Sequence, residues 1–272
     1  MLNDSTSALP LEVHSRAAKQ ALSNVRRTCF GALLAIAAIV FSIPALAANT
    51  EKTLSLNSRD VHAMKIFAGE GFLHIQGVDN SETIEVVGTI VGGRDSRRFT
   101  LEKDGDIAVL MAVNTERHFV FAWLGTRPRI DVTVRVPSRL LLEVRDGPGE
   151  ITIAGMRAAT TVVDENEAIY IHDHHGNLNI YDGEGGIKLE DITGQIYVQD
   201  GQGDLSIENV VGNIDINDGI GSIVVKDIDG HVSIHDGRGG VAAANITRGL
   251  TINDGRSGQL AMTLLEEKDR KP

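Results

Sequence analysis

Asp146, Asp164, Asp182, Asp200, Asp218, Asp236 and Asp254 follow one another at an unbroken interval of 18 residues. Carboxylates repeated on one frame can hold a hard cation, accept hydrogen bonds from turn amides, or repel one another. The cation would be calcium, with Asp182, Asp200, Asp218 and Asp236 its weak candidate ligands. The half-period of nine residues resembles the calcium-binding nonapeptide GGxGxDxUx. The sixth position of that motif carries the ligand, but here it is Ile151, Ile169, Ile187, Leu205, Ile223 or Val241. Calcium takes about six to eight oxygens. Turn-capping is therefore the favoured role of the column, and neither a metal nor a cofactor is expected.

His172-Asp173-His174-His175 forms a second cluster, with His231 and His235 further along. Histidine beside carboxylate is zinc-ligand chemistry. Neighbouring residues of a strand point to opposite sides, however, and no zinc spacing is matched, so a solvated turn is expected. Phe119, Phe121 and Trp123 alternate, which places three rings on one face. They read either as a plug over the first coil or as an exposed binding patch for a partner or glycan. The chain holds no GxSxG, and no phosphate loop opening a helix. No catalytic residue is assigned.

The elements that carry these residues come from one unit of 18 residues written six times. Gly follows the Asp at 147, 183, 201, 219 and 237, and recurs at 149, 185, 203, 221 and 239. Apolar pairs then alternate, as in Ile187/Leu189 and Leu205/Ile207. A weaker half-repeat opens at Asp173, Asp191, Asn209, Asp227 and Asn245, and second pairs such as Ile196/Val198 and Ile214/Ile216 close the unit. Period-2 alternation marks a strand with one buried face. Strands this short cannot stand alone, but stacked identical units bury their aliphatic columns against each other. The predicted fold is all-β: a parallel β-solenoid of 18-residue coils with two strands per coil, preceded by an irregular β lead-in that caps it. The Asp-Gly corners are expected at the surface, where salt screens them. Their glycines are expected to supply φ > 0.

In chain order, residues 1–47 have the form of an export signal. Arg26-Arg27 precedes an apolar run from Phe30 to Phe41, then Pro44, then a small-residue site at Ala45-Leu46-Ala47. An uncleaved anchor is the alternative, since the run is nearly long enough to span. Cys29 is the chain's one cysteine and lies in this segment, so the rest has no thiol to oxidise. Residues 48–145 form the lead-in and cap, with a hairpin expected at Asp104-Gly105-Asp106 and a clean strand at Ile130, Val132, Val134 and Val136. Residues 146–265 form the solenoid with its C-terminal cap, and 266–272 a charged tail. The net charge of −11 argues against nucleic acid or anionic membrane as a partner.

The strand Ile130-Asp-Val-Thr-Val-Arg-Val-Pro137, followed by Leu142-Glu-Val-Arg-Asp146-Gly-Pro-Gly-Glu-Ile-Thr-Ile153 and its successors, resembles the bacterial putative-adhesin β-solenoid family of the DUF4097 and head-GIN type. The likeness covers most of residues 60–260 and implies a fold; it brings no catalytic residues. The expected function is a secreted, non-enzymatic binding or scaffold module of the cell envelope, in the periplasm or at the cell surface, with an envelope protein or glycan as its unknown partner. The alternative is a carbohydrate-active enzyme, a polysaccharide lyase or hydrolase, on the same kind of solenoid.

Overall fold

The computed structural model describes residues 49–92, 97–114, 128–254 and 260–263. All regular elements among them are strands. The lead-in holds β1 (Thr50–Asn57), β2 (Ala63–Ala68), β3 (Leu73–Val78), β4 (Thr83–Val91), β5 (Arg97–Asp104), β6 (Ile107–Asn114), β7 (Arg129–Pro137) and β8 (Leu141–Arg145). The repeat holds β9 (Ile151–Ala154), β10 (Thr160–Val163), β11 (Ile169–His175), β12 (Leu178–Glu184), β13 (Ile187–Thr193), β14 (Ile196–Gln202) and β15 (Leu205–Val211). It continues with β16 (Ile214–Asp229), β17 (His231–Ile246), β18 (Gly249–Asp254) and β19 (Leu260–Thr263).

Each strand of the repeat pairs in parallel with its equivalent one coil on, so the sequence period becomes the pairing register. Ile169, Ile187, Leu205, Ile223 and Val241 are successive partners, as are Leu178, Ile196, Ile214 and Val232. Two ladders result. One runs β2–β8–β10–β12–β14–β16–β17–β18. The other runs β3–β9–β11–β13–β15–β16–β17–β19. The long strands β16 and β17 serve both, one half each. The aliphatic columns between the ladders are buried as far as Val241, and only partly at Leu250 and Ile252 in the last coil. Burying one such side chain favours folding by about 1.5–3 kcal/mol relative to leaving it exposed.

At the N-terminal end, stacking order departs from chain order. β2 lies between β6 and β8, and β3 between β7 and β9, so the coil built from 63–78 is inserted beneath a later part of the chain. The outer strands then turn antiparallel: β4 runs against β7, β1 against β4, and β5 against β6. The expected hairpin is β5–β6, with Gly105 at φ 61. Phe99 covers this end of the core, its buried ring lying against Gly88. An antiparallel cap of this kind ends the parallel stack without leaving a flat, open edge.

The corners differ from the sequence expectation in two ways. First, φ > 0 belongs chiefly to the half-repeat. Asp173, Asp191, Asn209, Asp227 and Asn245 all lie at φ between 49 and 58, where Asn and Asp are tolerated far better than branched residues. Their side chains form a ladder of their own, with Asn209 Nδ2 donating to Asp191 Oδ1 at 3.2 Å and Asn245 donating to Asp227. Second, of the described Asp-Gly corner glycines only Gly185 has positive φ, at 149. Apart from Gly147, where a Cβ would fit, the others are glycine because successive coils touch there. A Cβ on Gly203 would sit 1.4 Å from the carbonyl oxygen of Gly185, and one on Gly221 1.6 Å from that of Gly203.

Candidate functional site

The corner aspartates point inward. Strand alternation continues through them, so Asp200 shares the parity of Ile196 and Val198 in β14. Asp146, Asp164, Asp182, Asp200, Asp218 and Asp236 are only 3–8% exposed. The expectation of surface, salt-screened corners is therefore overturned: the turn lets the backbone reach solvent while its carboxyl stays inside. Capping is also scarcer than expected. Asp146 Oδ1 accepts from the Gly147 amide at 2.9 Å. The carboxyls of Asp164, Asp182, Asp200 and Asp218 accept no hydrogen bond of ordinary geometry from a donor group.

Burial raises Asp146, Asp164, Asp182, Asp200 and Asp218. It pushes Asp146 up to about 8, with the neighbouring Asp164 charge adding to it. Asp164 rises to about 7 through burial and then Asp182, and Asp182 to about 6 through burial. Asp200 and Asp218 are raised together, again chiefly by burial, and interact directly. Amides of Gly183, Gly201 and Gly219 temper the rise. The calcium candidates Asp182, Asp200, Asp218 and Asp236 thus stand in single file inside the solenoid. Among the described residues no three carboxylates, histidines or thiols converge where an ion would sit.

The histidine cluster is divided by the bend at Asp173. His172 is half-buried and His175 exposed. His174, read from sequence as part of a solvated turn, is instead in the core with 0% exposure, in the column of Ile192, Val210 and Ile228. The left-handed residue before it shifts the alternation by one, which turns the middle histidine inward. Its Nε2 lies 3.0 Å from the buried Thr160 Oγ1. Burial, and then the charges of His175 and Arg157, push it down to about 4. Phe119, Phe121 and Trp123 lie outside the described residues.

The two outer faces differ in chemistry. On β11, β13, β15 and the second half of β16, charges are paired. Lys188 meets Glu190 at 2.7 Å, Tyr170 donates its hydroxyl to Glu190 at 2.6 Å, and Lys226 meets Glu208 at 2.6 Å. On β12, β14 and the first halves of β16 and β17, the outward residues are amides, rings and hydroxyls. Asn179, Tyr197, Asp215 and Ser233 form one column, and Tyr181, Gln199, Asn217 and His235 the next. No lysine or arginine stands in either column, and Asp215 is their one carboxylate. A groove of about 440 Å³ follows the first of these columns and its neighbour Asn177, Gln195, Asn213 and His231 across four coils. The sequence showed these positions as a mixed outer column. What it lacked was the comparison between faces, because either column alone reads as ordinary surface.

No family model matches the sequence, and no curated protein matches it. Among solved structures, one similar to this chain is a putative cell adhesion protein from Clostridium sporogenes, at 12% identity, covering 80% of this chain and 100% of that one, with a TM-score of 0.33. A putative adhesin from Bacteroides fragilis is 13% identical over 80% of this chain and 98% of its own, with a TM-score of 0.46. A putative lipid binding protein from Parabacteroides distasonis is 10% identical over 78% of this chain and 97% of its own, with a TM-score of 0.40. Likenesses at this level transfer neither ligand nor activity.

Proposed function

We propose that this chain is a non-enzymatic, adhesin-like binding or scaffold module of the bacterial cell envelope, exported by its first 47 residues. The observation that supports the non-enzymatic part is the burial of the repeated acids. A hydrolase or lyase needs its carboxyls at the substrate, and the corner column is withdrawn from any ligand. The observation that supports binding is the contrast between uniform core columns and varied outer ones. Ile196, Ile214 and Val232 keep one chemistry, while Tyr197, Asp215 and Ser233 beside them change from coil to coil. Structure is held constant where the coils pack, and variety is displayed where a partner would meet them.

Expression of the full chain in a bacterial host, with fractionation and N-terminal sequencing, tests the export half. The processed protein should begin at or near Ala48 in the periplasmic or surface fraction. An intact form beginning at Met1 and held in the inner membrane would count against it. Sedimentation of the processed protein with washed envelope fragments tests the binding half, and failure to co-sediment with any envelope fraction would count against that.

A further inference from the structure

Resting on the binding-module reading, we propose that the face of β12, β14 and the first halves of β16 and β17 binds a neutral, hydroxyl-rich polysaccharide laid along the solenoid axis. The groove on this face crosses four coils, Asn177 to Ser233. At strand spacing that is roughly 14 Å, room for a few sugar rings. Its donors are set in place by the fold. Asn177 Oδ1 accepts from the Gln195 amide at 3.2 Å and Asn213 Oδ1 from the His231 amide at 3.0 Å. Each bond fixes the side-chain amide and leaves its Nδ2 hydrogens to donate outward, two coils apart. Asp215, between them on the next column, adds an acceptor pair.

Aromatic platforms stand beside these groups. Tyr197 lines the groove, and the exposed Tyr181 lies next to it with ring centroids 5.7 Å apart and planes at 55°. Two rings held at that tilt offer apolar surface to the CH faces of sugars, while their hydroxyls remain wet. Tyr181, Tyr197 and Asp215 stand on paired strands, and Asn177 and Asn213, in the turns just before β12 and β16, are tied by their side chains to the next coil, so little ordering is left for the ligand to impose.

Charge selects among polymers. No lysine or arginine stands in the two columns that flank the groove to attract nucleic acid or an acidic glycan, Arg238 lying beyond them at the corner of β17, and Asp215 repels both. The groove's apolar members, Ile196 and Ile214, are buried core residues, so the exposed apolar centre of a typical protein interface is missing. A neutral chain of hydroxyls matches what remains: amides, hydroxyls, one carboxylate and two rings.

Affinity electrophoresis of the processed protein through gels containing mixed-linkage β-glucan, xyloglucan or glycol chitin, with alginate as the anionic control, tests this. At least one neutral polymer should retard the protein, and alginate should not. Tyr197→Ala, confirmed folded by circular dichroism, should weaken retardation about tenfold or more, as loss of an aromatic anchor does. Lys188→Ala on the opposite face should leave it unchanged. Absence of retardation by every neutral polymer, retardation that survives Tyr197→Ala, or equal retardation by alginate would overturn the proposal. Tyr197-dependent retardation with release of new reducing ends would uphold this face and sink the non-enzymatic reading. Capture of an envelope protein without any retardation would do the reverse.

Discussion

Asp218 stands opposite Asp200 on the next parallel strand, both buried, and the Asp200 charge adds to burial in holding the proton on Asp218. The pair is one step of a column whose members keep their protons far above the ordinary carboxylate range near 3.9. The folded state therefore binds protons that the unfolded chain has released. The stability this gives is fully present below the unfolded value of about 3.9 and is lost as pH rises through the folded values, about 6 to 8.

Thermal unfolding should accordingly be at higher temperature at pH 6.5 than at pH 8.5. Asp200→Asn should raise the melting temperature at pH 8.5 and reduce that difference, because an amide supplies a donor and carries no charge. Added sodium chloride should act weakly, since buried charges are poorly screened. A melting temperature that climbs from pH 6.5 to 8.5 would sink this account.

His174 works in the opposite sense. Its folded value is depressed to about 4, so the unfolded chain takes up a proton first, and stability drains as pH falls from about 6.5 towards 4. Replacing His174 alone would strand the buried hydroxyl of Thr160, whereas removing both partners of a buried bond can be neutral or stabilising. The double variant His174→Val, Thr160→Val should be more stable than the parent at pH 5, and the gap should narrow by pH 8. Chemical denaturation at the two pH values measures it; a gap that widens towards pH 8 would refute the assignment.

Much of this was legible because the inward columns, Ile196/Val198 and their equivalents, obey two periods at once: 2 along the strand and 18 along the chain. The Asp column was legible as a repeat but was assigned to the wrong side. Its parity with Val198 was the available signal, and reading Asp-Gly as a turn obscured it. His174 required knowing that Asp173 is left-handed, which Asp permits but does not dictate. The insertion of β2–β3 between later strands had no trace in the sequence, because its partners in β6 and β7 lie outside the repeating frame.

Gly203 and Gly105 separate the two reasons for glycine. A Cβ at Gly203 would collide with backbone of the coil beneath, while Gly105 has φ 61 and nothing within 4 Å. Gly105→Ala should cost about 1–2 kcal/mol, the price of a left-handed alanine. Gly203→Ala should cost clearly more, since backbone must move on both coils. Equal shifts in denaturation midpoint would show that the coils are not in contact there.

Glu167 occupies the place that Gly149, Gly185, Gly203 and Gly221 hold in other coils, and it does so at φ 89. It is exposed. Glu167→Gly should stabilise the protein by about 0.5–1 kcal/mol, the relief of a strained φ less the entropy that glycine adds to the unfolded chain. A lower melting temperature in this variant would mean that the glutamate side chain makes a contact worth more than the strain.

The glycine contacts at the corners also make the molecule's length countable. Since the coils at Gly185, Gly203, Gly221 and Gly239 each rest on the one below through the same carbonyl-to-glycine touch, these coils are interchangeable as spacers. Excision of residues 201–218 joins Asp200 to Gly219 and restores an Asp-Gly corner with no change of frame. Deleting or adding one such coil should therefore change the length of the stack by one strand spacing while leaving the antiparallel pairings of β4–β7 and β5–β6 untouched.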